Sequence, residues 1–536
     1  MHPHPDDHLE LDSSTGEDGR ARDERTVIAP ELLARAVARA GADEGWEAAA
    51  ALINRHWDRY ANSEPALLLA AFKALPGEAL VEHPALLAGA NYLQHLVVAA
   101  DPRRFHDNAA DAVGRAPDGG AAFDRLVAAT SRSSGHRTAG RLREARRFAA
   151  EGRRLLDGLT DVERAPLRDT LPHLLVQWGL AHQFADLGGV RTFEEAYELA
   201  SLTGQPAIAR RAAALLAWLH ADRGQLHEAE GWVARAAASG VPTPRYDAPL
   251  HLAAALIGND RLDTAATAAA LGALDEVDIG EHWAAALWVR AWAARSAEQA
   301  VLLQQRLEAE LARTTPAVTT GGANRRYLLA ASAQLATLRG LPLDAGDAVR
   351  FALDDTDPFD AVMTAASAYR AGNAREVLRH AATATGGRSP RMRAGAQLLV
   401  AAARQLMKAP DAAADAFRLA HAVIEAEGLH ASYGILTPTH REALFELTGL
   451  RSPAIRLLGA VGEQAPPTAT DALASLTPRQ RDVLILLAQG RTGTEISREL
   501  FVSPNTVKTV TAHLYRKLGV HTRAEAAGIA FRAGLA

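Results

Sequence analysis

Four helix-start signals crowd the last sixty residues of this chain, and they restrict its fold more than anything before them. Thr477-Pro478-Arg479-Gln480 opens the first predicted helix: a hydroxyl N-cap, proline at the first helical position, and a glutamine that reaches back to the cap. Thr492-Gly493-Thr494-Glu495 is a second capping box, Ser503-Pro504 starts a third helix, and Thr522-Arg523-Ala524-Glu525 starts a fourth. The connection from Leu500 to Ser503 is so short that the second and third helices form a helix-turn-helix pair. The third is then the recognition helix. Such a unit fits the major groove and reads base edges from the start of its second helix.

The ordered run Leu476-Thr477-Pro478-Arg479, Val483-Leu484, Leu487-Ala488, Gly490, Glu495-Ile496, Leu500, Val502-Ser503, Thr506-Val507-Lys508 and Arg516-Lys517-Leu518-Gly519-Val520 resembles the LuxR-type (NarL/FixJ-like) DNA-binding domain of bacterial transcription factors. The resemblance covers about an eighth of the chain. Within the recognition helix, Val507, Leu514 and Leu518 share one face, which is expected to pack on the first two helices. Lys508, Ala512 and Arg516 share another, with Thr509 beside them. The resemblance implies that this second face enters the groove. Lys508 then contacts phosphate or guanine acceptors, and the Thr509 methyl meets thymine. Asn505, Thr506, Arg516 and Lys517 are placed for phosphates, which set register rather than sequence. A basic helix face in isolation is more often merely solvated; the four-helix context selects DNA contact. Three departures from the family pattern occur: Val510 and Thr511 stand as if exchanged, Gly493-Thr494 replaces a polar pair, and Gln480 replaces the usual Glu.

Charge follows the same division. From Leu476 onward nine basic residues face four acidic ones, a net of +5, whereas the whole chain is −5. A basic module on an acidic body is expected when one segment alone meets nucleic acid. The chain has no cysteine, which excludes disulfides, Cys-based zinc sites and thiol catalysis. No long apolar run suggests a membrane span, and the N-terminus lacks a secretory pattern, so a cytoplasmic location is expected. Residues 1–27 are acidic and His-containing with almost nothing to bury, and read as a disordered tail.

Residues 28–450 read as an all-α helical-repeat domain of tetratricopeptide-like type. A weak repeat marks helix starts at Gly140–Ala145, Gly224–Ala229, Asp260–Ala265 and Gly372–Val377. The stretches Leu67–Pro76 and His83–Leu87 resemble the opening of the superhelical region in MalT-like regulators, which usually carry an ATPase module. No G-x-x-x-x-G-K-[ST] loop occurs in this chain, so neither ATP nor GTP is expected to bind. No catalytic motif, metal site or cofactor site is evident, and the chain is not expected to be an enzyme. Trp283, Trp288 and Trp292 on one predicted helix either line a ligand groove or, more commonly, fill the repeat core. The Pro-containing segment 451–474 reads as a linker before the module at 475–536.

These readings converge on a DNA-binding transcription regulator. Its repeat domain is expected to sense a small-molecule or protein effector. Its partners are expected to be double-stranded DNA, a second copy joined through the helix Thr522–Ala533, and RNA polymerase as a further candidate. The competing reading is a protein-interaction scaffold tethered to DNA or to the transcription machinery by the module.

Overall fold

The computed structural model describes residues 28–60, 64–75, 122–239, 246–339, 357–387, 389–460, 476–500, 502–518 and 523–532, with isolated positions between them. All regular elements among the described residues are helices. The tail expected at 1–27 lies outside the described residues. The chain divides into two compact units, Met1–Val97 and Val98–Ala536.

In the first unit the helices Pro30–Asp43, Trp46–Tyr60 and Pro65–Phe72 enclose Leu33, Ile53, Leu68 and Phe72. The Tyr60 hydroxyl donates to the Ile28 carbonyl at 2.6 Å and ties the entering chain to the second helix. The stretch resembling a superhelix opening supplies the third helix.

In the second unit, successive helices form hairpins, and the weak sequence repeat has its cause in the turns. Gly140, Gly224 and Gly372 have φ of 76°, 82° and 73°. The next residue in each case donates its amide to a carbonyl five residues back (Arg141 to His136, Gln225 to His220, Asn373 to Ala368), at 2.8–2.9 Å. This is a Schellman ending run directly into a new helix. The fourth residue of that helix, Ala145, Ala229 or Val377, is buried against its neighbour.

The remaining sequence repeat is out of register by two. Its left-handed residue is Leu262 (φ 62°), not Asp260; the helix starts at Thr264, and Thr267 is buried while Ala265 is exposed. The same turn recurs at Gly204 and at Lys408, with Ala209 and Ala413 as the buried fourth residues.

The tryptophan helix, Trp283–Ala293, belongs to the core. Trp288 stacks on Tyr327 with centroids 5.4 Å apart, and Trp218 meets it edge-on at 6.0 Å. Trp292 Nε1 donates to Asp260 Oδ1 at 3.4 Å.

Long-range polar contacts join distant hairpins. Arg391 donates to both oxygens of the fully buried Asp260, at 2.9 and 2.6 Å, and to the carbonyls of Asp222 and Ala221 at 3.0 and 2.7 Å. Ser389 Oγ adds a bond to the Arg223 carbonyl at 2.9 Å. A Cβ on Gly224 would stand 2.9 Å from Arg391 N, so glycine serves both the turn and this close approach.

The segment expected as a linker begins as structure. Ala454–Ala460 is helical, and Ala454 and Leu458 are buried in the same core as the preceding hairpins. Among the described residues, no helix is long and apolar enough to cross a membrane.

Candidate nucleic-acid interface

The C-terminal module comprises the helices Pro478–Ala488, Gly493–Glu499, Pro504–Leu518 and Arg523–Arg532. Local side chains set its helix starts. Thr477 Oγ1 accepts the Gln480 amide at 3.2 Å, and Gln480 Oε1 accepts the Thr477 amide at 3.1 Å. The box therefore closes with a neutral glutamine. Thr492 and Glu495 close the second box, with the Thr492 amide 2.6 Å from the carboxylate. That amide, followed by the Thr492 hydroxyl, holds the Glu495 carboxyl below the usual range. Ser503 Oγ accepts the Thr506 amide at 3.1 Å and caps the recognition helix. The side chains of Thr522 and Glu525 lie outside the described residues.

Val507, Leu514 and Leu518 are buried with Val483, Leu484, Leu487, Ile496, Ala526, Ile529 and Ala530. One face of the recognition helix thus packs on the first two helices, as its periodicity predicts. Val510, in the position that departs from the family pattern, is half-buried and packs against this core.

Thr506, Lys508 and Thr509 are exposed on the recognition helix. Lys508 has no hydrogen bond or ion pair among the described residues. Asn505, Ala512, Arg516 and Lys517 lie on the same helix, and their side chains are outside the described residues. The backbone places 508, 512 and 516 on one face, one turn apart.

Several basic residues that the charge count treats alike are occupied within the module. Arg523 Nη2 donates to the Leu487 and Arg491 carbonyls at 3.0 and 2.7 Å, pinning the fourth helix to the turn after the first. Arg479 Nη2 donates to the Leu500 carbonyl at 2.5 Å, at the end of the second helix. Arg481 reaches the Leu473 carbonyl at 3.3 Å, and Arg491 pairs with Glu499 at 3.9 Å. Sequence reasoning missed these roles, because the acceptors are backbone carbonyls brought near only by folding.

A pair of capped helices joined by a short turn, with a polar, cation-bearing face opposite a buried one, defines a helix-turn-helix DNA-binding domain. Residues 474–530 match the family described as bacterial regulatory proteins, luxR family, and this segment is a LuxR-family DNA-binding domain. An HTH-type transcriptional regulator of Mycobacterium tuberculosis is 45% identical over 60 residues, covering 11% of this chain and 7% of that protein. The NarL transcriptional regulatory protein of the same organism is 42% identical over 76 residues, 14% of this chain and 33% of the relative. The transcriptional regulatory protein LiaR of Bacillus subtilis is 45% identical over 58 residues, 11% and 28% of the two chains. The likeness thus spans a small part of this chain and at most a third of each of these relatives. A solved APC/C hetero-tetramer, Cut9-Hcn1, overlaps 81% of this chain and 97% of its own, at 15% identity and a TM-score of 0.29. At that score nothing about this chain rests on the overlap.

Proposed function

We propose that this chain is a sequence-specific transcription regulator whose helical-repeat body senses an effector. The observation that carries the reading is the division of the module's cations. Arg479, Arg481 and Arg523 are spent on backbone carbonyls, whereas Lys508 stands exposed on the recognition helix. Lys508 and Thr509 read base edges; Thr506, at the helix N-terminus, holds phosphate, with Asn505, Arg516 and Lys517 beside it on the helix. Ala512 lies between Lys508 and Arg516 and lets the helix approach the bases. The fourth helix, where Phe531 is 58% exposed, joins a second copy on a two-fold related operator. The module has a hydrophobic core of its own, so the body is free to act as a control element. RNA polymerase is a further partner in this reading.

The test is operator mapping followed by two variants. Lys508→Ala weakens operator binding by about 1–3 kcal/mol and relaxes preference at one base position. Arg516→Ala weakens binding to all sequences and reduces the salt slope by about one unit. Wild-type binding by both variants removes the proposed face. Equal binding of the full-length protein to every duplex supports instead a scaffold that the module merely tethers.

A further inference from the structure

The helices Ala122–Thr138 and Leu142–Asp157, with the turn between them, carry nine basic residues against four acidic ones, a net of +5 within a chain of net −5. This is a cationic stretch within a body of net negative charge. A cavity of about 290 Å³ opens near its end, between Leu142–Asp157, Leu171–Asp186 and Val190–Leu202. Ala149 and Trp178 supply apolar lining, and Arg153, Arg154, His182 and Thr192 supply the polar groups.

The lining is held in place. Trp178 Nε1 donates to Thr130 Oγ1 at 2.9 Å. A Cβ on Gly152 would stand 2.6 Å from the Trp178 ring, so only glycine lets the indole lie there. Arg153 is answered by Glu195 at 2.5 Å and by Asp157 at 3.0 Å, and Asp186 is paired with Arg146 at 3.1 Å. Arg154 is different: it is exposed and has no ion pair among the described residues. Desolvation, then Arg146, holds His182 below the usual imidazole range, so it is a neutral hydrogen-bonding group near pH 7. The Thr192 hydroxyl is a second neutral group.

One unanswered cation and two neutral polar groups over an apolar lining match a single negative charge on an apolar body. The volume is at the small end of ligand pockets, roughly 300–1,000 Å³, and is too small for a folded peptide. We infer that this cavity binds a small organic carboxylate, its carboxylate on Arg154 beside His182 and Thr192, and its apolar part over Ala149 and Trp178. The inference rests on the sensor reading above and gives it a site and a ligand class.

Full-length protein is titrated calorimetrically with benzoate and hexanoate, then with benzamide, hexanamide and inorganic phosphate. At least one acid saturates with a Kd of about 1 mM or tighter, and its amide binds about tenfold more weakly. Arg154→Ala weakens the acid about fivefold, whereas Arg143→Ala, exposed on the same helix and not lining the cavity, leaves it unchanged. The inference is overturned if neither acid saturates, if acid and amide bind alike, if Arg154→Ala binds as wild type, or if phosphate alone binds. Operator affinity of the same proteins is measured in parallel. Lost acid binding with operator recognition intact removes the site alone; absent operator recognition in the wild type removes the regulator reading.

Discussion

The C-terminal module starts its first three helices on side-chain caps, whereas the repeat body mixes capped and uncapped starts. In the module, Thr477, Thr492 and Ser503 cap with their own side chains, two of them in reciprocal boxes. In the body, Asp263 and Asn373 also cap with their side chains after a left-handed turn, but Arg141, Gln205, Gln225 and Ala409 occupy the cap position with no side-chain cap bond. There the preceding left-handed residue turns the chain, and burial of the fourth helical residue fixes the start. Both regions end helices the same way: Gly490, with φ of 85°, is followed by Arg491, which donates to the Leu486 carbonyl at 3.1 Å. A short module with a small core depends on local capping. A stack of hairpins relies on neighbours, and its caps are free to vary.

The strongest way to break this comparison acts on the body's long-range contacts. Arg391→Ala leaves Asp260 buried without its counter-charge, and the body loses about 3–5 kcal/mol. Denaturation followed by body tryptophan fluorescence, alongside module DNA binding, checks this; an equal loss in both regions would show that they are not energetically separate.

A second effect depends on pH. Burial pushes the Asp222 carboxyl up to about 6, against Arg391, Arg326 and Arg223, which pull it down. The raised value means the folded state holds the proton more tightly. The stability this group contributes is complete below about pH 4 and is lost as pH rises through 6. Asp222→Asn therefore stabilises the body at pH 7 by roughly 1–3 kcal/mol and by nothing at pH 4. Denaturant midpoints at the two pH values decide it, and a constant difference would remove the role of this proton.

Capping gives a smaller and more selective effect. Thr492→Ala costs the module about 1 kcal/mol, while Gln225→Ala removes no cap bond and costs the body only the contact of Gln225 Oε1 with His220 Nδ1 at 3.1 Å. Amide exchange in the two helices measures the contrast. The smallest effect has the opposite sign. Lys408 is exposed with φ of 58°, and glycine there relieves the left-handed penalty. After the entropy glycine adds to the unfolded chain, Lys408→Gly raises the body's stability by about 0.5 kcal/mol, read from the urea midpoint.

The sequence by itself determined the module's helices, their starts and the buried stripe Val507, Leu514 and Leu518, because caps and helical periodicity act within a few residues. It also showed that the body is helical and that glycine turns recur there. It did not show the displaced turn at Leu262 or the turn at Lys408, because any residue can occupy a left-handed position when the surrounding contacts outweigh its strain. Tertiary structure alone decided that Trp288 is core, that Arg391 meets Asp260 across 131 residues, and that Arg479 and Arg523 serve backbone carbonyls. An arginine's partner is chosen by whichever acceptor folding brings within about 3 Å, and sequence spacing does not carry that distance.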